Sequence, residues 1–273
     1  MKPIGPTSAA LICLVAAALS FPLVAAQAQQ PTNTVTADSN PPSFEVATIK
    51  PSRPDAQGDS WSFGVGRLTI QNYTLRQLIR RAYELKSDSQ ILSAPEWMNR
   101  EAFDIVAKTG DLEEEKMSRM SVEDRNREEL LMLRSLLADR FALRLNDEKK
   151  TIPVYALVVA KTGSRLTKST PAEGNGLSVG GGHLKATALS MDDLAEYLSQ
   201  MHESDNCLIL NRTGLKGSYD FQMSWSRDGD DAGDSPYPVF FTALEEQLGL
   251  KIEPDRAPVD VVVVKSVKMP EFD

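Results

Sequence analysis

The chain has 273 residues and a formal net charge of −8 at pH 7. An acidic chain without a basic stripe is repelled by nucleic acid and by anionic membranes, so no nucleic-acid partner is expected. The length is sufficient for two domains of ordinary size, each able to bury its own hydrophobic core.

The N-terminal residues have the pattern of an export signal. Lys2 gives a short positive start, residues 9–26 are mostly Ala, Leu, Val and Ile, and Ala26-Gln27-Ala28 has the small-x-small form that signal peptidase cuts. A retained membrane anchor is the alternative, because the apolar run is near the shortest that spans a bilayer, about 17 residues. Pro22 interrupts that run. We therefore expect a signal peptide at residues 1–28, no membrane span after its removal, and a periplasmic or secreted location.

Two features of the mature chain follow from this reading. Residues 29–42 are polar and rich in Pro, which predicts a flexible leader. Cleavage removes Cys13 and leaves Cys207 as the single thiol, so no intramolecular disulfide is expected. The apolar neighbours of Cys207 favour a small core residue over a redox thiol.

The first folded unit is predicted to span residues 43–163. It begins with a strand and a hairpin, because apolar residues alternate along residues 43–49 and 60–71. Thr74 with Gln77 three residues later forms a capping-box pattern, followed by apolar residues at helical spacing. Two strands, a second helix and two final strands are expected to follow, the last beginning at Pro153.

A second copy of this plan is expected at residues 183–273. Leu184 lies 116 residues after Leu68, and the same offset aligns Asp220 with Asp104 without a gap. Residues 164–182, rich in Ser, Thr and Gly, are the predicted linker. The fold class is therefore α+β: two similar β-α-β-β-α-β-β units, each a mixed sheet with helices packed on one face.

Few residues are placed for catalysis. The two histidines, His183 and His202, have the settings of surface imidazoles, and no Gly-x-Ser-x-Gly elbow accompanies them. Asp104 and Asp220, at equivalent points of the two units, are the candidate catalytic pair, since two converging carboxylates serve as general acid and base. The alternative is that each Asp simply faces outward from its strand.

No metal site or cofactor is predicted. No cluster of His and Cys has zinc-ligand spacing, and the acidic segment 228–234 departs from the EF-hand pattern at two ligand positions. The candidate binding residues are Trp97, in the segment APEWM, and Arg212, in the turn NRTGLKG. The alternatives are a Trp that closes the end of a core and a turn residue without a ligand.

Seven segments, occurring in order along the mature chain, resemble a known family: FEVATIKPS, TLRQLIRRAYEL, APEWM, FDIVAK, LLADRF, NRTGLKGSYDF and EQLGLKIE. The chain resembles the soil-associated secreted proteins of unknown function that are common in acidobacteria. The resemblance implies export and supplies no catalytic residues. Some relatives carry BlaR-type membrane peptidase modules, but this chain lacks their HExxH motif.

We therefore expect a non-enzymatic binding or interaction module of the cell envelope, with an envelope protein or polymer as partner. A hydrolase or lyase of cell-wall or plant polymers, using acidic residues, is one alternative. A purely structural envelope protein is the other.

Overall fold

The computed structural model describes residues 41–170, 176–201, 207–226 and 237–273. Within these ranges the chain forms six helices and three four-stranded sheets, most of whose strand pairs are antiparallel. The predicted α+β class is confirmed. The predicted signal peptide and residues 29–40 of the predicted leader lie outside the described residues, and in the part of the chain that is described no helix is long and apolar enough to cross a membrane.

The elements of the first half are, in chain order, β1 (Val46–Pro51), β2 (Ser60–Gly64), β3 (Arg67–Thr74), α1 (Leu75–Ala82), β4 (Ile91–Leu92), α2 (Trp97–Arg100), β5 (Ala102–Lys108), α3 (Asp111–Ser118), α4 (Val122–Arg140) and β6 (Arg144–Val159). The elements that follow are β7 (Thr167–Lys168), β8 (Gly176–Gly180), β9 (His183–Ser190), α5 (Met191–Gln200), β10 (Ile209–Asn211), β11 (Ser218–Ser224), α6 (Phe240–Leu248) and β12 (Leu250–Ser266).

Two of the sheets have the same plan. The first sheet has the spatial order β1-β5-β3-β2, and the second sheet has the order β7-β11-β9-β8. In each, a hairpin closed by a two-residue turn leads directly into a helix, α1 or α5. Corresponding elements of the two halves begin 116 residues apart, which is the offset found in the sequence. These pairs are β3 and β9, α1 and α5, and β5 and β11.

The helices begin where local chemistry favours it. Thr74 and Gln77 form the predicted capping box at the start of α1, and the helix buries its apolar face. Ser190 caps α5 by accepting a hydrogen bond from the Asp193 amide. Gly249 ends α6 with a φ of 65°, the left-handed conformation expected for a glycine at this position.

The third sheet, here called the shared sheet, joins the two halves. Its order is β10-β6-β12-β4. The long strands β6 and β12 pair antiparallel over their whole length, from Val159 opposite Leu250 to Arg144 opposite Ser266. The short strand of each half pairs in parallel with the long strand of the other half, β4 with β12 and β10 with β6. Each half therefore completes the sheet of its neighbour.

Two hydrophobic clusters lie beneath the first and second sheets. The first contains α1, α4 and the inner face of the first sheet, together with Val262 and Val264 from the C-terminal strand. The second contains α5, α6 and the inner face of the second sheet, together with Leu157 from β6. The shared sheet thus contributes side chains to both clusters.

Two details differ from the sequence-based expectation. Each half is predicted to end in two separate strands, but β6 and β12 are continuous through Pro153 and Pro258. These prolines lie in the stretch where β6 and β12 pair only with each other, so each strand has an open side on which a missing N–H is tolerated. Strands β7 and β8 also fall within the segment 164–182, which therefore contributes to the second sheet.

Two leucines on neighbouring helices differ in how much of their surface is exposed. Leu137 in α4 is fully buried, whereas Leu112 in α3 is 85% exposed. We expect Leu137→Ala to lower the free energy of unfolding by about 2–5 kcal/mol, because it leaves a cavity in the first cluster. The matched variant Leu112→Ala should change it by less than about 0.5 kcal/mol. Urea unfolding followed by circular dichroism measures both, and equal losses would contradict the assigned core.

Candidate binding surface

Asp104 and Asp220 accept equivalent hydrogen bonds at matching irregularities of the first and second sheets. Asp104 accepts hydrogen bonds from the Ser52 hydroxyl at 2.6 Å and from the Asn72 amide at 2.9 Å. Asp220 accepts hydrogen bonds from the Ser169 hydroxyl and, at 2.7 Å, from the Ala188 amide.

The amide donors belong to residues with positive φ. Asn72 has a φ of 58° and Ala188 a φ of 49°, both in the left-handed region that non-glycine residues rarely occupy. The strand register shifts beside each of them, as in a β-bulge. A carboxylate that accepts from the bulge amide and from a serine just beyond the end of the neighbouring strand stabilises this conformation. The two carboxylates lie on strands of different sheets.

The candidate binding residues lie apart from these carboxylates. Trp97 begins α2 and packs, half-buried, against the first cluster. Arg212 follows β10, with its Nε atom 3.9 Å from Asp255 Oδ2 on the surface. The geometry thus places Trp97 at the margin of a core and Arg212 beside a carboxylate of β12.

His183 is the histidine that the structure describes. Its Nδ1 atom lies 2.8 Å from the Ser224 hydroxyl on the neighbouring strand, and its ring packs edge-on against Tyr237. Cys207 is half-buried. Among the described residues no three His, Cys, Asp or Glu side chains form a group that could hold a metal ion. His202 and the acidic segment 228–234 lie outside the described residues.

The outward edge of β8 has no neighbouring strand among the described residues. The turn that follows β8 pairs Gly180 with His183, so Gly180 and Ser178 direct their backbone groups toward β9. The Trp225 amide donates to Gly182 at 2.8 Å, which shows that the alternate residues of this hairpin bond to β11. The backbone N–H and C=O groups of Leu177 and Val179 therefore point away from the sheet.

The edges of β1, β4 and β10 are occupied by groups from the same chain. At the edge of β1, Ile49 donates to the Asp273 carboxylate and accepts from the Asp273 amide, while Arg140 donates to Ala47. At the ends of the shared sheet, Arg76 donates to the Ile91 carbonyl and the Ile209 amide donates to the Ser199 hydroxyl. Such capping prevents unwanted strand pairing.

The outer face of the second sheet adjoins the β8 edge and is concave. A cavity of about 560 Å³ lies over Ser178, Lys185 and Gln222, which face one another across β8, β9 and β11. Gln247 closes one end, because its side-chain amide accepts from the Ser224 N–H at 3.0 Å and donates to the Ser224 C=O at 2.7 Å. Ser178, Lys185 and Gln222 make this face polar, whereas Val179, which is 36% exposed, lies on the opposite face of β8.

Sequence reasoning did not single out this edge. The signal that was present is the segment GLSVG, an uncharged run that ends in glycines and precedes a two-residue turn. β2, with the sequence SWSFG, occupies the equivalent edge of the first sheet. There Trp61 donates a hydrogen bond from its indole N–H to Glu129, and Phe63 packs on the first cluster.

The fold and this surface define an α+β protein in which two sheets of one plan are joined through a third. The chain belongs to the family of proteins of unknown function DUF3738, whose model matches residues 76–267. The match begins in α1 and extends beyond the end of β12, so it includes all of the shared sheet. No curated protein and no solved structure matches the chain.

The bonds to Asp220 generate a pH-dependent prediction. The Ala188 amide, and secondly the Ser169 hydroxyl, lower the pKa of Asp220 below its ordinary value. A carboxylate with a depressed pKa in the folded state stabilises the protein above its unfolded pKa, and this contribution is lost as the pH falls through the folded value. We expect Asp220→Asn to be less stable than the parent protein at neutral pH, with a difference that shrinks below about pH 4.

The measurement is urea unfolding of both proteins over a series of pH values. Asp55→Asn, which alters an exposed turn residue, serves as the control and should unfold like the parent protein at each pH. A difference between Asp220→Asn and the parent that stays constant down to the lowest pH would contradict the role of the charged carboxylate.

Proposed function

We propose that the protein is an exported, non-enzymatic binding module that pairs an extended segment of a partner protein with the edge of β8. The open, uncharged edge at Leu177 and Val179 is the observation that carries the proposal. A strand with unpaired backbone groups is a template for another strand, and peptide-recognition domains use such edges.

The surroundings of β8 favour a partner of particular chemistry. An added strand would place alternate side chains on the two faces of the second sheet. On one face they meet the polar cavity that contains Lys185, and on the other they lie over Leu177 and Val179, on the side of the second cluster. A segment that alternates apolar with polar or acidic residues therefore fits best.

Export is part of the proposal. The pattern at residues 1–28 and the resemblance to soil-associated secreted proteins both support it. They favour an envelope protein as the partner. The matched plans of the first and second sheets, with Asp104 and Asp220 bonded in the same way, further support an origin by internal duplication.

The two carboxylates give the hydrolase alternative little support. Both Asp104 and Asp220 accept hydrogen bonds from their own sheets, and a glycosidase pair needs its carboxyl groups to face each other within about 10 Å. A purely structural role would not require β8 to leave its outer edge without a neighbour among the described residues while the edges of β1, β4 and β10 are capped.

The proposal is tested by removing one outward donor from β8. We expect Val179→Pro to weaken binding of an extended peptide by about tenfold, because proline lacks the N–H that would pair with the added strand. Val179→Thr keeps the N–H and the strand preference and should bind like the parent protein. Peptides selected from a displayed library of nine-residue segments serve as ligands, with affinities measured by fluorescence anisotropy.

Hydrogen exchange locates the bound peptide. Binding at the edge should slow exchange of the Leu177 and Val179 amides. Equal affinity of the proline and threonine variants, no change in the exchange of these two amides, or the recovery of no binding peptide would each contradict the proposal.

A further inference from the structure

A second cavity lies in a cleft between helices of the two halves, away from β8. It has a volume of about 410 Å³ and is lined by residues of α1, α4 and α5. The cleft contains a buried carboxylate, Glu129, and two arginines, Arg80 and Arg81. Leu85 and Leu130 add apolar surface to its wall.

Glu129 is a buried acid with one hydrogen-bond donor. Its residue is 5% exposed, and one carboxylate oxygen accepts from the Trp61 indole N–H at 2.8 Å. Burial raises the pKa of Glu129, while the Trp61 bond and the nearby Arg81 oppose that increase. No other hydrogen bond to this carboxylate comes from the described residues. A buried charge is costly unless it is paired, so the site favours an additional cationic donor.

Arg81 is the complementary group. Its guanidinium carbon lies 4.1 Å from the centre of the Trp61 ring, an arrangement that fixes the side chain beside Glu129. In the described part of the chain no carboxylate lies within ion-pair distance of Arg81. The planar donors of this guanidinium therefore remain for an anion.

The remaining carboxylates of the cleft are already neutralised. Glu196 pairs with Lys86 at 2.7 Å, and Glu84 lies 3.8 Å from Arg134. These pairs leave Glu129 and Arg81 near each other, each outside ion-pair distance of an oppositely charged group among the described residues. A simple anion would satisfy Arg81 but would be repelled by ionised Glu129, and a simple cation would meet the reverse difficulty.

We propose that this cleft binds a small zwitterion, an amino acid or short peptide with an aliphatic side chain. The ligand carboxylate pairs with Arg81, its ammonium group pairs with Glu129, and its side chain lies against Leu85 and Leu130. Charge-assisted hydrogen bonds at both ends select molecules that carry both groups. The site is independent of the β8 edge.

Three related probes separate the two charges. L-leucine carries both, L-leucinamide lacks the carboxylate, and N-acetyl-L-leucine lacks the ammonium group. Isothermal titration calorimetry with the full mature chain should show binding of L-leucine and at least tenfold weaker binding of the other two. Affinity for L-leucine should also fall as the pH decreases through the raised pKa of Glu129, because a protonated acid no longer attracts ammonium.

Variants test the assigned residues. We expect Arg81→Gln and Glu129→Gln each to weaken L-leucine binding by about tenfold or more, the cost of losing a charge-assisted pair. Arg119→Gln, which alters a surface arginine paired with Glu115, is the control and should bind normally. Because Arg81 is exposed, its variant remains informative if Glu129→Gln fails to fold.

Three results would overturn the proposal. The first is that L-leucine gives neither heat of binding nor a rise in melting temperature at millimolar concentration. The second is that N-acetyl-L-leucine or L-leucinamide binds as tightly as L-leucine. The third is unchanged affinity of Arg81→Gln. None of these bears on peptide binding at β8, so the two proposals fail separately.

Discussion

The pairing of β6 with β12 is the constraint on which the rest of the structure depends. Leu157 and Val262, which belong to different long strands of this ladder, lie in different hydrophobic clusters. The ladder therefore aligns the two halves and supplies part of the core beneath each of the other sheets. The short strands β4 and β10 add to it from opposite edges, so neither half contains a complete version of the shared sheet.

The fold also explains why a carboxylate recurs at the same point of each half. Asp104 and Asp220 accept hydrogen bonds from residues whose backbone is held in a costly conformation, Asn72 and Ala188. A repeated acid in a sequence suggests paired catalysis. Here each of the two acids has a structural role, because each sheet needs a hydrogen-bond acceptor for the backbone amide at the point where its strand changes register.

Local patterns in the sequence were sufficient for some elements and not for others. The capping box at Thr74 defines the start of a helix through contacts a few residues apart, and it is present as predicted. The glycine at position 249, which ends α6, is a local signal of the same kind. The continuity of β6 through Pro153 depends on which strands lie beside it, and neighbours distant in sequence leave no local signal. The candidate binding surface at β8 could not be predicted for the same reason. Whether a strand edge is open depends on which strands pair with it, and these are distant in sequence. The cleft likewise joins helices from both halves, and Glu129 gave no signal within α4.

The exchange of short strands has a consequence for how the chain reaches its native state. Val262 and Val264 fill the first cluster, although they are made last, more than one hundred residues after most of their neighbours. The N-terminal half can form its hairpin and helices early, but its interior stays incomplete until the C-terminus arrives. Contacts of such sequence separation make folding slow. Until that strand is synthesised, apolar side chains of the first cluster remain accessible to solvent.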